Sequence, residues 1–217
     1  MAVHQRRWPA TVTVLAVLGL QLALPVEMGG LPRYLVPGVE LALLLPVVVS
    51  NPVRLVRDSG WVRVFGVLLS VVVAAANALT LVLLVRHIVA ADPVARMSPG
   101  AMVRAGLLIW TTNVAVAAVA YWELDRGGPF ARDPAHDRPP ERPDLLFPQQ
   151  TGIPGWDAEA WRPGFGDYLF VAFTAATAFS PTDTLPLSFP AKLITALASA
   201  VSLVTVGILV ARAVNAI

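Results

Sequence analysis

Few side chains in this chain could take part in chemistry, and most of them stand singly inside long apolar runs. Glu40 lies six residues into the run 34–50. A carboxylate there could hold a proton or a cation. The plainer reading puts it in the first turn of a helix near a membrane interface, where the helix dipole stabilises it. Asn77 falls near the middle of the run 61–90, and Thr111, Thr112 and Asn113 near the middle of 101–122. Amides and hydroxyls at such depth either bond between helices, at about 0.6 kcal/mol on average, or line a path for an ion or substrate. The last long run carries Thr195, Ser199, Ser202 and Thr205 together with the small-xxx-small pairs Ala196/Ala200 and Gly207/Ala211. These suit close helix packing more than pore lining.

Enzyme chemistry is not expected, and neither is a cofactor. His4, His87 and His136 are far apart, no HExxH occurs, and no pair has metal-ligand spacing. The absence of cysteine removes disulfides, thiolate metal sites and cysteine nucleophiles together. Neither a G-x-S-x-G elbow nor a phosphate-binding loop is present. Asp133, Asp137, Glu141 and Asp144 alternate with Arg132, Arg138 and Arg142 in a proline-rich stretch, which reads as a solvated loop rather than a catalytic carboxylate pair.

The elements that carry these residues follow from composition. The 217 residues are 56% hydrophobic and 14% charged, with a mean hydropathy of +0.67. Soluble domains are about one-quarter charged. The net charge is +2, its basic residues scattered between apolar runs, which argues against a nucleic-acid surface. Lys192 is the single lysine, and the richness in Ala, Val, Leu, Gly and Pro is the usage of a GC-rich bacterial genome. A spanning helix needs about 20 apolar residues, and the runs 10–26, 34–50, 61–90, 101–122 and 191–213 are read as such helices. The first follows Arg6-Arg7-Trp8 but lacks a convincing cleavage site, so it reads as a retained helix rather than a signal peptide. Pro37 suits a first helical turn, and Asn51-Pro52 ends the second run. Trp8, Trp61 and Trp122 stand at run ends, where indole favours the headgroup zone. The polar stretch 123–166 precedes a short apolar piece, 168–179, which is about half a bilayer long as a helix. It runs into Ser180-Pro181-Thr182-Asp183-Thr184-Leu185-Pro186, a helix-breaking polar loop. Non-helical backbone at membrane depth survives only when buried in protein or lining water, so 168–179 reads as a re-entrant helix. The expected fold is an all-α membrane bundle of about five spans plus this half-helix, divided into N-terminal helices (1–100) and a second region (101–217).

That second region resembles the pore module of potassium channels. There a pore helix runs into T-x-G-Y-G-D, a proline follows, and a long inner helix closes the module. Phe173, Thr177, Asp183 and Pro186 fall on the family's residue types, Ala191-Lys192 on its small-then-basic pair, and Val210-Ala211-Arg212 on the end of many bacterial inner helices. The resemblance makes 101–122 the outer helix, 123–166 an enlarged turret, 180–186 a filter-like loop and 191–213 the inner helix. Where the family has Gly-Tyr-Gly, this chain has Ser180-Pro181-Thr182. Potassium filters present rings of backbone carbonyls, glycine allows their backbone angles, and proline fixes φ and lacks an N–H. This argues against a standard potassium filter. The wider pattern, including Trp122-Glu123-Leu124-Asp125-Arg126-Gly127-Gly128-Pro129, is similar to a family of bacterial membrane proteins of unknown function, a likeness that brings no activity with it.

The resemblance implies a channel-like protein of the cell membrane, a homo-oligomer of four subunits, with Thr177, Ser180, Pro181, Thr182 and Asp183 at its constriction. Thr177 and Ser180 would offer oxygens to a permeating monovalent cation. Asp183 would attract cations at the mouth or hold the loop by hydrogen bonds. A non-conducting scaffold that kept the module's shape, and a small transporter using Glu40 and the broken segment, are the alternatives. Positive charge divides the topology. Arg6, Arg7, Arg54, Arg57 and Arg63 favour a cytoplasmic N-terminus, Arg86, Arg96 and Arg104 pull the other way, and the channel arrangement requires 123–166 outside.

Overall fold

Runs of Val, Leu and Ala have no polar side chains to compete for backbone groups, and in an apolar setting a chain pairs those groups most simply within its own helix. A computed structural model of the chain describes residues 7–24, 34–50, 60–89, 97–133, 142–178 and 183–214. Its helices are α1 (Trp8–Leu22), α2 (Leu35–Ser50), α3 (Gly60–Val89), α4 (Pro99–Leu124), the single turn α5 (Pro129–Arg132), α6 (Phe165–Thr177) and α7 (Phe189–Val214). Two short strands, β1 (Leu145–Leu146) and β2 (Leu185–Pro186), pair antiparallel, with Leu145 opposite Pro186 and Leu146 opposite Leu185.

Three of these helices are long and apolar enough to cross a membrane: Trp61–Val89, Pro99–Gly127 and Phe189–Arg212, with mean hydropathies of 2.6, 1.5 and 2.4. α1 and α2 are equally apolar but hold 15 and 16 residues, about 22–24 Å of helix. Helix boundaries follow local chemistry. Ser98 caps α4 by accepting from the Ala101 N–H at 3.2 Å, with Pro99 in the first turn. α6 begins at Phe165, earlier than the apolar run suggests, because the Asp167 carboxylate reaches back to accept the Gly164 N–H at 2.7 Å.

Side-chain bonds set the helix directions. Arg7, just before α1, meets Glu123 in the last turn of α4. Gln21, near the end of α1, meets Glu40 of α2. A Cβ on Gly66 of α3 would lie 2.7 Å from Glu123 Oε1, so α3 also starts at the Glu123 end. α7 runs antiparallel to α4: Tyr121 faces Thr195, Asn113 faces Ala198 and Ser202, and Gly106 lies under Leu209. α4 sits at the centre, packed by α1, α3, α6 and α7. Ala105 and Ala118 on it are fully buried.

Candidate functional site

A connected set of polar side chains gathers where α4 closes. Asp125 is 0% exposed. Its Oδ1 accepts the N–H groups of Asp144 (2.9 Å) and Leu145 (3.2 Å), and its Oδ2 accepts the Tyr168 hydroxyl at 2.7 Å. One carboxylate thus joins the end of α4, the strand β1 and the first turn of α6. Asp144 returns the tie by accepting the Arg126 N–H at 3.1 Å, and its carbonyl accepts the Leu187 N–H at 2.8 Å, just past β2. The reversal that makes this possible uses three consecutive residues at positive φ, Arg126 (52°), Gly127 (79°) and Gly128 (97°). The two glycines adopt it without cost, and Arg126 is held there by its bond to Asp144. Arg132 folds back under the turn. It donates to the Trp122 carbonyl at 2.7 Å and to the Asp125 carbonyl, so it satisfies carbonyls that the helix end leaves open. Its guanidinium lies 5.0 Å from the Tyr168 ring centre.

Beside this knot is a buried ion pair. Arg7 Nη2 lies 2.8 Å from Glu123 Oε1, with side chains 5% and 6% exposed. The same guanidinium stacks 5.5 Å above Trp122. Aromatic rings close the end of the bundle: Trp122 against Phe165, and Phe147 against both Tyr168 and Trp161.

This arrangement governs the path of α6. The helix starts beside Trp122, rises about 20 Å over 13 residues, and reaches Trp110 through an edge-to-face contact with Phe173 at 5.9 Å. Ser199 of α7 donates to its Ala175 carbonyl at 3.0 Å. By Leu185–Pro186 the chain is back at the Asp125 end, paired with β1. α7 then departs from that end.

The sequence-derived residues fall in separate places. Ser180, Pro181 and Thr182 lie outside the described residues. Thr177 is exposed at the last turn of α6, its hydroxyl bonded to the Phe173 carbonyl at 2.9 Å, and Asp183 is exposed on the return. Asn113 donates to the Ala198 carbonyl (2.7 Å) and Ser202 Oγ (2.9 Å), so it joins α4 to α7. Asn77 is buried on α3. Glu40 is fully buried, and accepts from Gln21 Nε2 at 2.8 Å. Its Oε2, and Gln21 Oε1, have no hydrogen-bond partner among the described residues. The α7 hydroxyls are hydrogen-bonded within the protein: Thr195 bonds Tyr121, Ser199 bonds α6, Ser202 accepts from Asn113, and Thr205 donates to the Val201 carbonyl. Ala196, Ala200, Gly207 and Ala211 lie exposed instead.

Two expectations are corrected. Arg132 and Asp133 are 4% and 5% exposed, so the first part of the supposed solvated loop is core. Its charges are covered because α5 tucks under the α4 terminus. Asp137, Arg138 and Glu141 lie outside the described residues. Trp8 and Trp61 are exposed at the Glu123 end, but Trp122 is 1% exposed beneath Arg7. Sequence reasoning read Arg7 only as a topology charge and Glu123 and Asp125 only as part of a family-like pattern, and it gave Tyr168 no role as a site residue. The available signal was a pair of carboxylates closing an apolar run directly before Gly127-Gly128. Among the described residues no cluster of three or more His, Cys, Asp or Glu could hold a metal. Comparison of the chain with protein-family models, with curated proteins and with solved structures finds no match.

Proposed function

We propose that the chain is a channel-like, multi-pass protein of the cell membrane, in which α4, α6 and α7 form a pore-type module. The observation that carries this reading is the course of α6, which leaves the Asp125 end, stops beside Trp110 and is followed by a return to the same end at β2. In a bilayer that course is a half-helix entering and leaving by one face. Asp125 ties the start of α6 to that end, and the Asp144 carbonyl ties the returning chain there at Leu187. α1 and α2 are the first two of five crossings, short ones of the kind that local thinning or flanking residues accommodate. Exposed Ala196, Ala200, Gly207 and Ala211 on α7 allow close approach of further copies, and four copies would surround a pore. Thr177 and Ser180 supply oxygens for monovalent cations, and Asp183 draws them to the mouth. Pro181 makes the filter other than a standard potassium one.

The test is efflux of potassium or sodium from liposomes holding the purified protein. Flux that falls in Asp183→Asn supports the reading. No flux for any monovalent cation overturns conduction and leaves a non-conducting scaffold, the reading that Pro181 in the filter position favours. The buried Glu40, whose Oε2 has no hydrogen-bond partner among the described residues, favours a small transporter. Its mark is pH-dependent flux lost in Glu40→Gln, and unchanged flux in that variant refutes it.

A further inference from the structure

Between α3, α4 and α7 runs a cavity of about 540 Å³, lined mainly by Val, Ala and Leu side chains. Its size is that of a small-molecule site, but its shape and ends are more specific. Along α3 it extends from Arg63 to Ala78, about 22 Å of helix. Along α7 it extends from Pro190 to Val201, about 16 Å. One bilayer leaflet has a hydrocarbon depth of about 15 Å. The groove therefore begins at the Glu123 end, where Trp8 and Trp61 are exposed, and stops at mid-bundle, where Asn77 and Asn113 line it.

Charge at the mouth has a definite sign. Glu123 is paired with Arg7, so these two cancel, and exposed Arg63 on the rim leaves a net positive charge. An apolar slot one leaflet deep with a cation at its interfacial end fits one occupant: a phospholipid with an anionic headgroup at Arg63 and one acyl chain between α3 and α7. We infer that this groove is an anionic-lipid site. The inference rests on the chain lying in a bilayer and not on conduction by the α6 module, so either can fail without the other.

The test uses the full chain in phosphatidylcholine vesicles carrying a trace of phospholipid with a photoactivatable diazirine in its acyl chain. The headgroup is phosphatidylglycerol in one preparation and phosphatidylcholine in the other. Adducts are located by peptide mass spectrometry. The expected result is labelling concentrated on the groove faces of α3, α4 and α7. The phosphatidylglycerol probe should label about fivefold more, the equivalent of ~1 kcal/mol for one arginine at an anionic surface. Arg63→Gln, an exposed substitution, should bring that ratio near one. Ala74→Leu with Ala117→Leu should fill the slot and reduce groove adducts while those on the outer faces persist. Equal labelling by both probes in the native chain would overturn the inference. So would adducts spread evenly over the outward faces of α3 and α7, or a groove left unlabelled by both probes. If the filled double variant does not fold, the Arg63→Gln ratio decides alone.

Discussion

Removing the Asp125 carboxylate should loosen the end of the bundle without disturbing the long helices. Asp125 receives three donors, the Asp144 and Leu145 N–H groups and the Tyr168 hydroxyl. A buried donor left unpaired costs about 1–3 kcal/mol, so three set a ceiling of roughly 9 kcal/mol. Against this stands relief from burying a charge, several kcal/mol, and Asp125→Ala should lose about 3–5 kcal/mol overall. Tyr168→Phe removes one donor from a charged acceptor and should lose about 1.5–3 kcal/mol. Asp125→Asn keeps an oxygen for the two amides while its NH₂ donates to the Tyr168 oxygen, so it should fall between native and Ala. Denaturant unfolding in detergent micelles, followed by tryptophan fluorescence, measures these differences. Hydrogen exchange should quicken at the Leu187 amide, which bonds to the Asp144 carbonyl. Stability of Asp125→Ala within about 0.5 kcal/mol of native, or additive effects of Asp125→Ala and Tyr168→Phe, would refute the reasoning.

Other predictions follow from neighbouring geometry. Arg7→Gln strands the Glu123 carboxylate in a site 6% exposed and should lose about 3–5 kcal/mol, whereas Arg7→Met with Glu123→Met should be near neutral or stabilising in the same unfolding assay. Gly128→Ala forces a side chain onto φ 97° with its Cβ 3.1 Å from the Glu123 carbonyl, and should cost more than 1 kcal/mol. A melting temperature equal to native would contradict the turn. Asn113→Ala removes two bonds to α7 and should cost about 1 kcal/mol, read as a lower midpoint with no shift of helical circular dichroism.

The three long helices were legible because the apolar runs 61–90, 101–122 and 191–213 admit few arrangements other than a helix. The shortness of α6 was legible too, since the mostly apolar piece 168–179 is about half a bilayer long as a helix and runs into a polar, proline-containing loop. The Asp125 knot was not. Asp125, Arg132 and Asp133 sit in a Pro- and Gly-rich stretch whose composition is that of solvated loops. Their burial depends on α5 tucking under α4 and on Tyr168 arriving from 43 residues away. Arg7 pairs with Glu123 across 116 residues, a distance over which no local pattern operates. The burial of Glu40 was not legible either, because its surroundings are decided by Gln21 on the neighbouring helix.

The central claim is that α6 enters and leaves by one face, and single cysteines test it because the chain has no native thiol. Ala160→Cys precedes α6, Leu187→Cys follows β2, and Arg212→Cys lies at the far end of α7. Each is exposed with a native side chain in place. A membrane-impermeant maleimide should label Ala160→Cys and Leu187→Cys from the same side of the membrane and Arg212→Cys from the other. Labelling of Ala160→Cys and Leu187→Cys from opposite sides would make α6 part of a full crossing and contradict the pore-type module.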